Sequence, residues 1–309
     1  MSESNQILIR YVTEATYGTT PPDSANWKTL PQNSDTLGGQ PITVESARIR
    51  GSNRMPADQI LVSLEAGGGV EYELSYADFE DMMEAAMCAT WSTNVLTLGT
   101  TDHSFSIEKE FSDLATVKYL QLKGVRVGQM DLNFRFGEQV TGSLQFAGNA
   151  ALESETSLVG TGSTAGPTSN PILAANVDMD SVTYDGTSIA TSGIEIEEIT
   201  FSINNNLRPI NNIIAQAPTN QAKGTARVTG RIRAYVSTPA WAIYQKMLSN
   251  AATSLAWTIT DGASKGYTFT LSNIKLGGNA PAGGGIDTDA MVEATYLAVV
   301  TAPTITRIP

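Results

Sequence analysis

Apolar and polar residues alternate in short runs along most of this chain, the period of strands that bury one face. In the first half the runs fall at 7–12, 47–51, 69–75, 95–98, 103–109, 119–122, 129–136 and 142–147. In the second they fall at 231–236, 254–260, 267–276 and 291–300. Two stretches change to the helical period. Phe79, Met82, Met83, Ala86 and Met87 form one stripe behind Ser75-x-x-Asp78, which reads as a capping box, with Asp81 and Glu84 on the other face. Trp241, Tyr244 and Leu248 form the other stripe, behind Pro239 at the first helical position. Both stripes are expected to face a core. Turn residues punctuate the remainder: Thr19-Thr20-Pro21-Pro22-Asp23, Gly67-Gly68-Gly69, Asp261-Gly262, and the glycines 277–278 and 283–285. The first 45 or so residues read as an arm with one short strand.

The order strand, serine, helix occurs twice. Val70–Leu74, Ser75 and the first helix match Arg231–Val236, Ser237 and the second. Upstream, residues 47–56 and 201–209 are related segments, the first followed at 56–69 by a long mobile loop or hairpin extension and the second by a loop at 209–224. A repeat of about half the chain points to two copies of one domain, because solenoid periods are roughly 20–50 residues. The expected architecture is mainly β: two similar antiparallel β-sandwich or half-barrel domains, each with one short helix. The boundaries are 1–157, a flexible linker at 158–170, and 171–309.

Composition narrows the function. The chain has 309 residues, enough for two cores, and a net charge of −12. Residues 1–155 hold 10 Lys and Arg against 21 Asp and Glu, or −11, while residues 156–309 hold 9 against 10, or −1. A tight nucleic-acid binder needs Lys and Arg to displace phosphate counterions, so this balance argues against one. It suits a surface past which DNA slides. No apolar run approaches the ~20 residues of a membrane span, and the N-terminus reads as lacking a signal peptide, so a soluble protein made in a cytoplasm is expected. Cys88 is the one cysteine and His103 the one histidine. Neither a thiolate cluster nor a multi-histidine site can be built from them. Cys88 reads as a buried structural thiol and His103 as a polar loop residue. The glycines of 160–166 follow no strand and precede no lysine, which makes them linker rather than phosphate cradle. No catalytic, cofactor or metal residues are expected, and no enzyme. Glu71 with Glu73, and Glu195 with Glu197, stand at strand spacing and read as acidic strips.

Several segments resemble the tail tube (major tail) proteins of long, non-contractile-tailed bacteriophages. They are Arg10 to Pro21, Trp27 to Leu30, Glu73 to Asp81 with Ala85, Ala86 and Trp91, and Phe105 to Lys109. In the second half they are Ile203 to Arg208 and Leu271 through Asp287, Asp289, Met291, Val292 and Glu293. The resemblance implies a virion protein that forms stacked rings, found in the phage tail and, during assembly, in the host cytoplasm. Its partners would be itself, as trimeric pseudo-hexameric rings, the tape-measure protein, and tail terminator and baseplate proteins, with DNA in transit only and no membrane. Lumen-facing acids would be Glu71, Glu73, Glu195 and Glu197, with Arg231 and Arg233 near them pairing with acids or lying outside. Contacts between subunits or rings would come from Arg54, Asp58, Gln59, Arg208, Asn211 and Asn212. The competing reading is a secreted or surface β-sandwich adhesin or lectin-like module.

Overall fold

The computed structural model describes residues 3–22, 25–48, 54–262, 264–281 and 285–309. Its strands in the first half are β1 (Ile7–Thr13), β2 (Asn26–Thr29), β3 (Ser34–Asp35), β4 (Gly38–Glu45), β5 (Gln59–Glu73), β6 (Val95–Thr97), β7 (Phe105–Phe111), β8 (Lys118–Arg135), β9 (Thr141–Gly148) and β10 (Ala150–Ser154). β11 (Ser163–Ala165) follows, then β12 (Met179–Tyr184), β13 (Thr187–Ser188), β14 (Ile196–Asn204), β15 (Arg208–Ile210), β16 (Asn220–Ala222), β17 (Arg227–Tyr235), β18 (Thr253–Thr260), β19 (Gly266–Gly278), β20 (Met291–Ala298) and β21 (Thr304–Ile308). The helices are α1 (Glu80–Met87), the single turn α2 (Ile189–Ser192) and α3 (Trp241–Ser249).

The repeat seen in the sequence is a repeat of pairing. β1–β7–β8–β9–β5–β3 in the first half corresponds to β12–β18–β19–β20–β17–β14 in the second, every contact antiparallel. The register repeats as well. Phe105 opposes Val125 and Ile107 opposes Leu122; Thr253 opposes Ile274 and Leu255 opposes Leu271, with the same bulge between them. Gly68 opposes Phe146 as Gly230 opposes Tyr296. Both glycines sit where another backbone comes close: a Cβ on Gly68 would strike the Thr36 carbonyl, and one on Gly230 the Thr200 carbonyl.

The long strands β8 and β19 each serve two layers. The early part of β8 pairs with β7 and β10, its later part with β9 and β14. β19 likewise pairs with β18 and β21, then with β20. Apolar residues between the layers form one core cluster that runs through both halves. The seam between the halves is β8 against β14, from Gln129↔Asn204 to Arg135↔Glu198. Phe134 crosses it, packing edge-on against Trp257 and Phe269 at 5.6 and 5.5 Å between ring centres.

Several expectations change. The first 45 residues are no arm: β1 pairs with β7 along its whole length, and Trp27 and Leu30 are buried. Buried Glu14 anchors the turn after β1, accepting from Gly18 N, Gly124 N, Ser104 Oγ and Ser106 Oγ at 2.7–2.9 Å. Runs 119–122 and 129–136 belong to one strand, β8. Ser75 does bond Asp78, but α1 starts later, and Asp78 holds Thr168 N (2.6 Å) instead of capping a helix. The α1 stripe is buried as expected, whereas on α3 the buried face is Ala240 and Ile243, leaving Trp241 and Leu248 exposed. In 158–170, β11 lies parallel to β2 and Val159 is buried. The expected strand at 47–51 falls largely on residues 49–53, outside those described.

Candidate assembly edges and polar sheet face

Registered rows of side chains divide one broad sheet into a core face and a polar face. Val70, Leu144, Met130, Ile203 and Val228 oppose one another in sequence across β5, β9, β8, β14 and β17, and all are buried. The neighbouring row on the opposite face reads Glu73, Thr141, Asn133, Thr200, Arg231 and Thr295. A second polar row passes through Glu71, Ser143, Asp131 and Ser202. Both rows cross the seam unbroken, since β8 and β14 pair as closely as strands within a half.

Charge on this face is unequal. On the first half the carboxylates are held by neutral donors: Glu71 by Ser34 Oγ (2.9 Å), Glu73 by Asn33 Nδ2 (3.0 Å), and Asp131 by Gln129 Nε2 and Ser143 Oγ (2.9–3.2 Å). None of the three has an ion-pair partner among the described residues. Beneath them burial, with Asp131 nearby, pushes the Tyr72 hydroxyl well above its ordinary range, so it stays neutral. On the second half Arg231 grips both oxygens of Glu198 at 2.7 Å, an arrangement that raises the guanidinium further. Arg233 Nε stands between Glu197 (3.3 Å) and Glu293 (3.4 Å). Both arginines therefore pair with acids of their own chain. Glu195 lies just ahead of β14, exposed, its carbonyl accepting from Tyr235 N. The sequence spacing missed Asp131, although Gln129, Asp131 and Asn133 alternate with Met130, Leu132 and Phe134. It also missed Glu198, because the bulge between Ile196 and Glu198 has no sequence signature here.

The loop candidates occupy two protrusions. β4 and β5 form a hairpin whose tip carries Asp58 and Gln59; Ser46 N donates to Asp58 O and Gln59 Nε2 to Thr43 Oγ1. Arg54 is exposed beside it. Of the two forms expected for 56–69, loop or hairpin extension, the structure has the hairpin. Its strands expose Val44 and Ile60, 54% and 55% accessible and directly opposed. Arg208 begins the β15–β16 hairpin, and Asn211 and Asn212 lie exposed at its turn. The two protrusions touch: Leu64 N and Ser63 Oγ both donate to Gln216 O, at 2.8 and 3.1 Å.

The polar-faced sheet runs β3–β5–β9–β8–β14–β17–β20–β19, and both of its outer strands are open among the described residues. β3 pairs with β5 on one side only. β19 past Ile274 pairs with β20 on one side only. In the repeat, β3 corresponds to β14, and the end of β19 to the part of β8 that β14 joins.

His103 lies between Asp102, which holds Lys223 and Arg126 at 2.6 and 3.4 Å, and Ser104, which is bound to Glu14. No group of three or more His, Cys, Asp or Glu among the described residues could hold a metal ion, and no helix among them is long and apolar enough to cross a membrane. The family described as phage tail tube protein matches residues 4–298, nearly the whole chain, and no curated protein matches it. The chain belongs to the phage tail tube protein family.

Proposed function

From that membership we infer that three copies of this chain close into a ring and that stacked rings form the hollow tail tube through which DNA passes. The observation that carries the reading is the pair of open edges. A bare edge invites strand pairing, and ring closure satisfies both edges of the polar-faced sheet. β3 of one copy would meet the end of β19 in the next as β14 meets β8 within the chain. The halves 1–157 and 171–309 then act as two copies of one tube domain joined by 158–170, and each ring has pseudo-sixfold symmetry.

Each half contributes four strands to the polar-faced sheet, β3, β5, β9 and β8 or β14, β17, β20 and β19. Three chains thus supply about 24 strands, which at ~4.8 Å spacing give a circumference near 115 Å and a diameter near 37 Å, before tilt widens it. That admits a DNA duplex. The polar face would line the lumen, with Glu71, Glu73 and Asp131 making acidic sectors and the Arg231 and Arg233 pairs making neutral ones. DNA carries about one charge per 1.7 Å, so such a wall repels it and binds it nowhere. The β4–β5 hairpin and the β15–β16 protrusion, with Arg54, Asp58, Gln59, Arg208, Asn211 and Asn212, would make contacts between subunits or stacked rings. Tape-measure, terminator and baseplate proteins would be the other partners, in the virion and earlier in the host cytoplasm. Negative-stain electron microscopy of the purified protein tests the reading: rings or hollow fibres are expected, and a protein that stays monomeric at high concentration would refute it.

A further inference from the structure

α1 and α3 are copies of one another, yet only one of them is covered. The strands before them are in register, Val70 matching Ile232, and Ser75 and Ser237 follow at equal distance. Both helices end on a left-handed residue at the same place, Cys88 and Asn250. Phe79, Met82, Met83 and Ala86 therefore correspond to Trp241, Tyr244, Gln245 and Leu248. The first four are each 0% exposed, while Trp241 is 43% and Leu248 70% exposed. Trp241 and Tyr244 meet edge to face at 5.2 Å, and Leu248 follows one turn on, so three apolar side chains share the open side of α3 with exposed Gln245.

Part of the cover on α1 comes from the second half of the chain. Asn205 Nδ2 donates to Ala86 O (3.0 Å), Arg307 pairs with Glu80 (2.6 Å), and Ala77 N donates to Tyr267 Oη (2.9 Å). α1 lies against β8 and β14, at the seam. α3 lies against β19 and β20, at the open edge of β19.

We propose that the Trp241–Tyr244–Leu248 face of α3 is an interface for a second copy of this chain, which covers it with the first-half surface around Lys118, Glu153 and Glu155. This inference rests on the ring reading and deepens it. The surface is fixed by the repeat: Lys118 on β8 holds the register of Tyr267 on β19, and Glu155, which pairs with Lys118 at 2.7 Å, stands where Arg307 stands on β21. Charge agrees with it. α1 carries Glu80, Asp81 and Glu84 and meets Arg307, whereas α3 carries Lys246 and no acid and would meet Glu153 and Glu155. Those two side chains are 75% and 63% exposed in the single chain. Lys246 also holds Asp185, at 2.9 Å.

Tryptophan fluorescence reports on the face once Trp241→Phe has identified its share: Trp27 and Trp257 are fully buried, Trp91 is half-buried, and Trp241 is exposed. Acrylamide should quench the Trp241 component in monomer and at least threefold less in rings. Trp241→Glu with Leu248→Glu should raise the concentration needed for rings at least tenfold. Leu248→Cys with Glu155→Cys, in a Cys88→Ala background, should cross-link chain to chain on oxidation; this arm keeps the test open should the double glutamate variant not fold. Wild-type rings with unchanged Trp241 quenching and no cross-link would overturn the α3 interface and leave the ring reading standing. No rings from wild-type protein would overturn both.

Discussion

Replacing Phe134 with Ala should weaken the whole molecule, because this ring is the first half's contribution to an aromatic cluster of the second. Phe134 is 2% exposed and meets Trp257 at 70° and Phe269 at 67° between ring planes, both edge-on geometries. Phe201 reaches the same two rings, at 6.2 and 5.6 Å, and Trp257 stacks on Phe269 at 5.1 Å, so neighbours on either side are held and cannot easily collapse into a void. Buried Phe to Ala changes cost about 3–5 kcal/mol. The two edge-to-face contacts account for ~0.5–1.5 kcal/mol each of that figure. The upper part of the range is expected here. Phe134→Leu, which keeps most of the volume, should lose about half as much. Urea denaturation of the monomer, followed by circular dichroism and tryptophan fluorescence, reads the loss. Wild type should unfold in one transition by both probes, because the halves share a core. A Phe134→Ala loss below ~1.5 kcal/mol, or two resolved wild-type transitions, would refute the idea that the seam joins the halves into one unit.

Glu71→Lys with Glu73→Lys should leave rings able to form, since both side chains bond only exposed neutral neighbours, but should slow DNA ejection and make its rate rise with salt as lysine–phosphate contacts are screened. Ejection kinetics at two ionic strengths check this, and an unchanged rate would remove Glu71 and Glu73 from the lumen. Shortening the β4–β5 hairpin by joining Thr43 to Leu61 through Asn-Gly should preserve the monomer's circular dichroism and abolish tube growth; tubes of normal length would exclude the hairpin from assembly. Cys88 is 8% exposed and burial raises its thiol pKa. Its alkylation by iodoacetamide at pH 8 should therefore be at least a hundredfold slower than in urea, and equal rates would contradict that burial.

Alternation made the strands legible wherever one face is core and the other wet: Met130, Leu132 and Phe134 against Gln129, Asp131 and Asn133 is a pattern that needs no structure to read. The α1 stripe was legible for the same reason. The α3 stripe misled because periodicity cannot say which apolar face is the inner one: Ile243 is buried while Trp241 and Leu248 are exposed. β4 and the upper part of β5 were harder still. Their apolar residues, Ile42, Val44, Ile60 and Val62, are exposed, and Gly67, Gly68 and Gly69 look like a turn while lying in mid-strand. The acidic face was half legible. Glu71 and Glu73 stood out in sequence, but Glu198 joins the face through a bulge, and Arg231 and Arg233 find their acids on β14 and β20, which lie on either side of β17 and are distant in sequence.

Three chains per ring is the claim on which the account turns, and the symmetry of the assembled tube tests it most directly. A cryo-EM map should contain rings of three chains with pseudo-sixfold symmetry and about 24 lumen strands, at the spacing expected between neighbours. β3 of each copy should be hydrogen-bonded to the end of β19 in the next, and Glu71, Glu73 and Asp131 should face the channel. Six chains per ring, or a tube whose inner wall is not the polar face of this sheet, would contradict it.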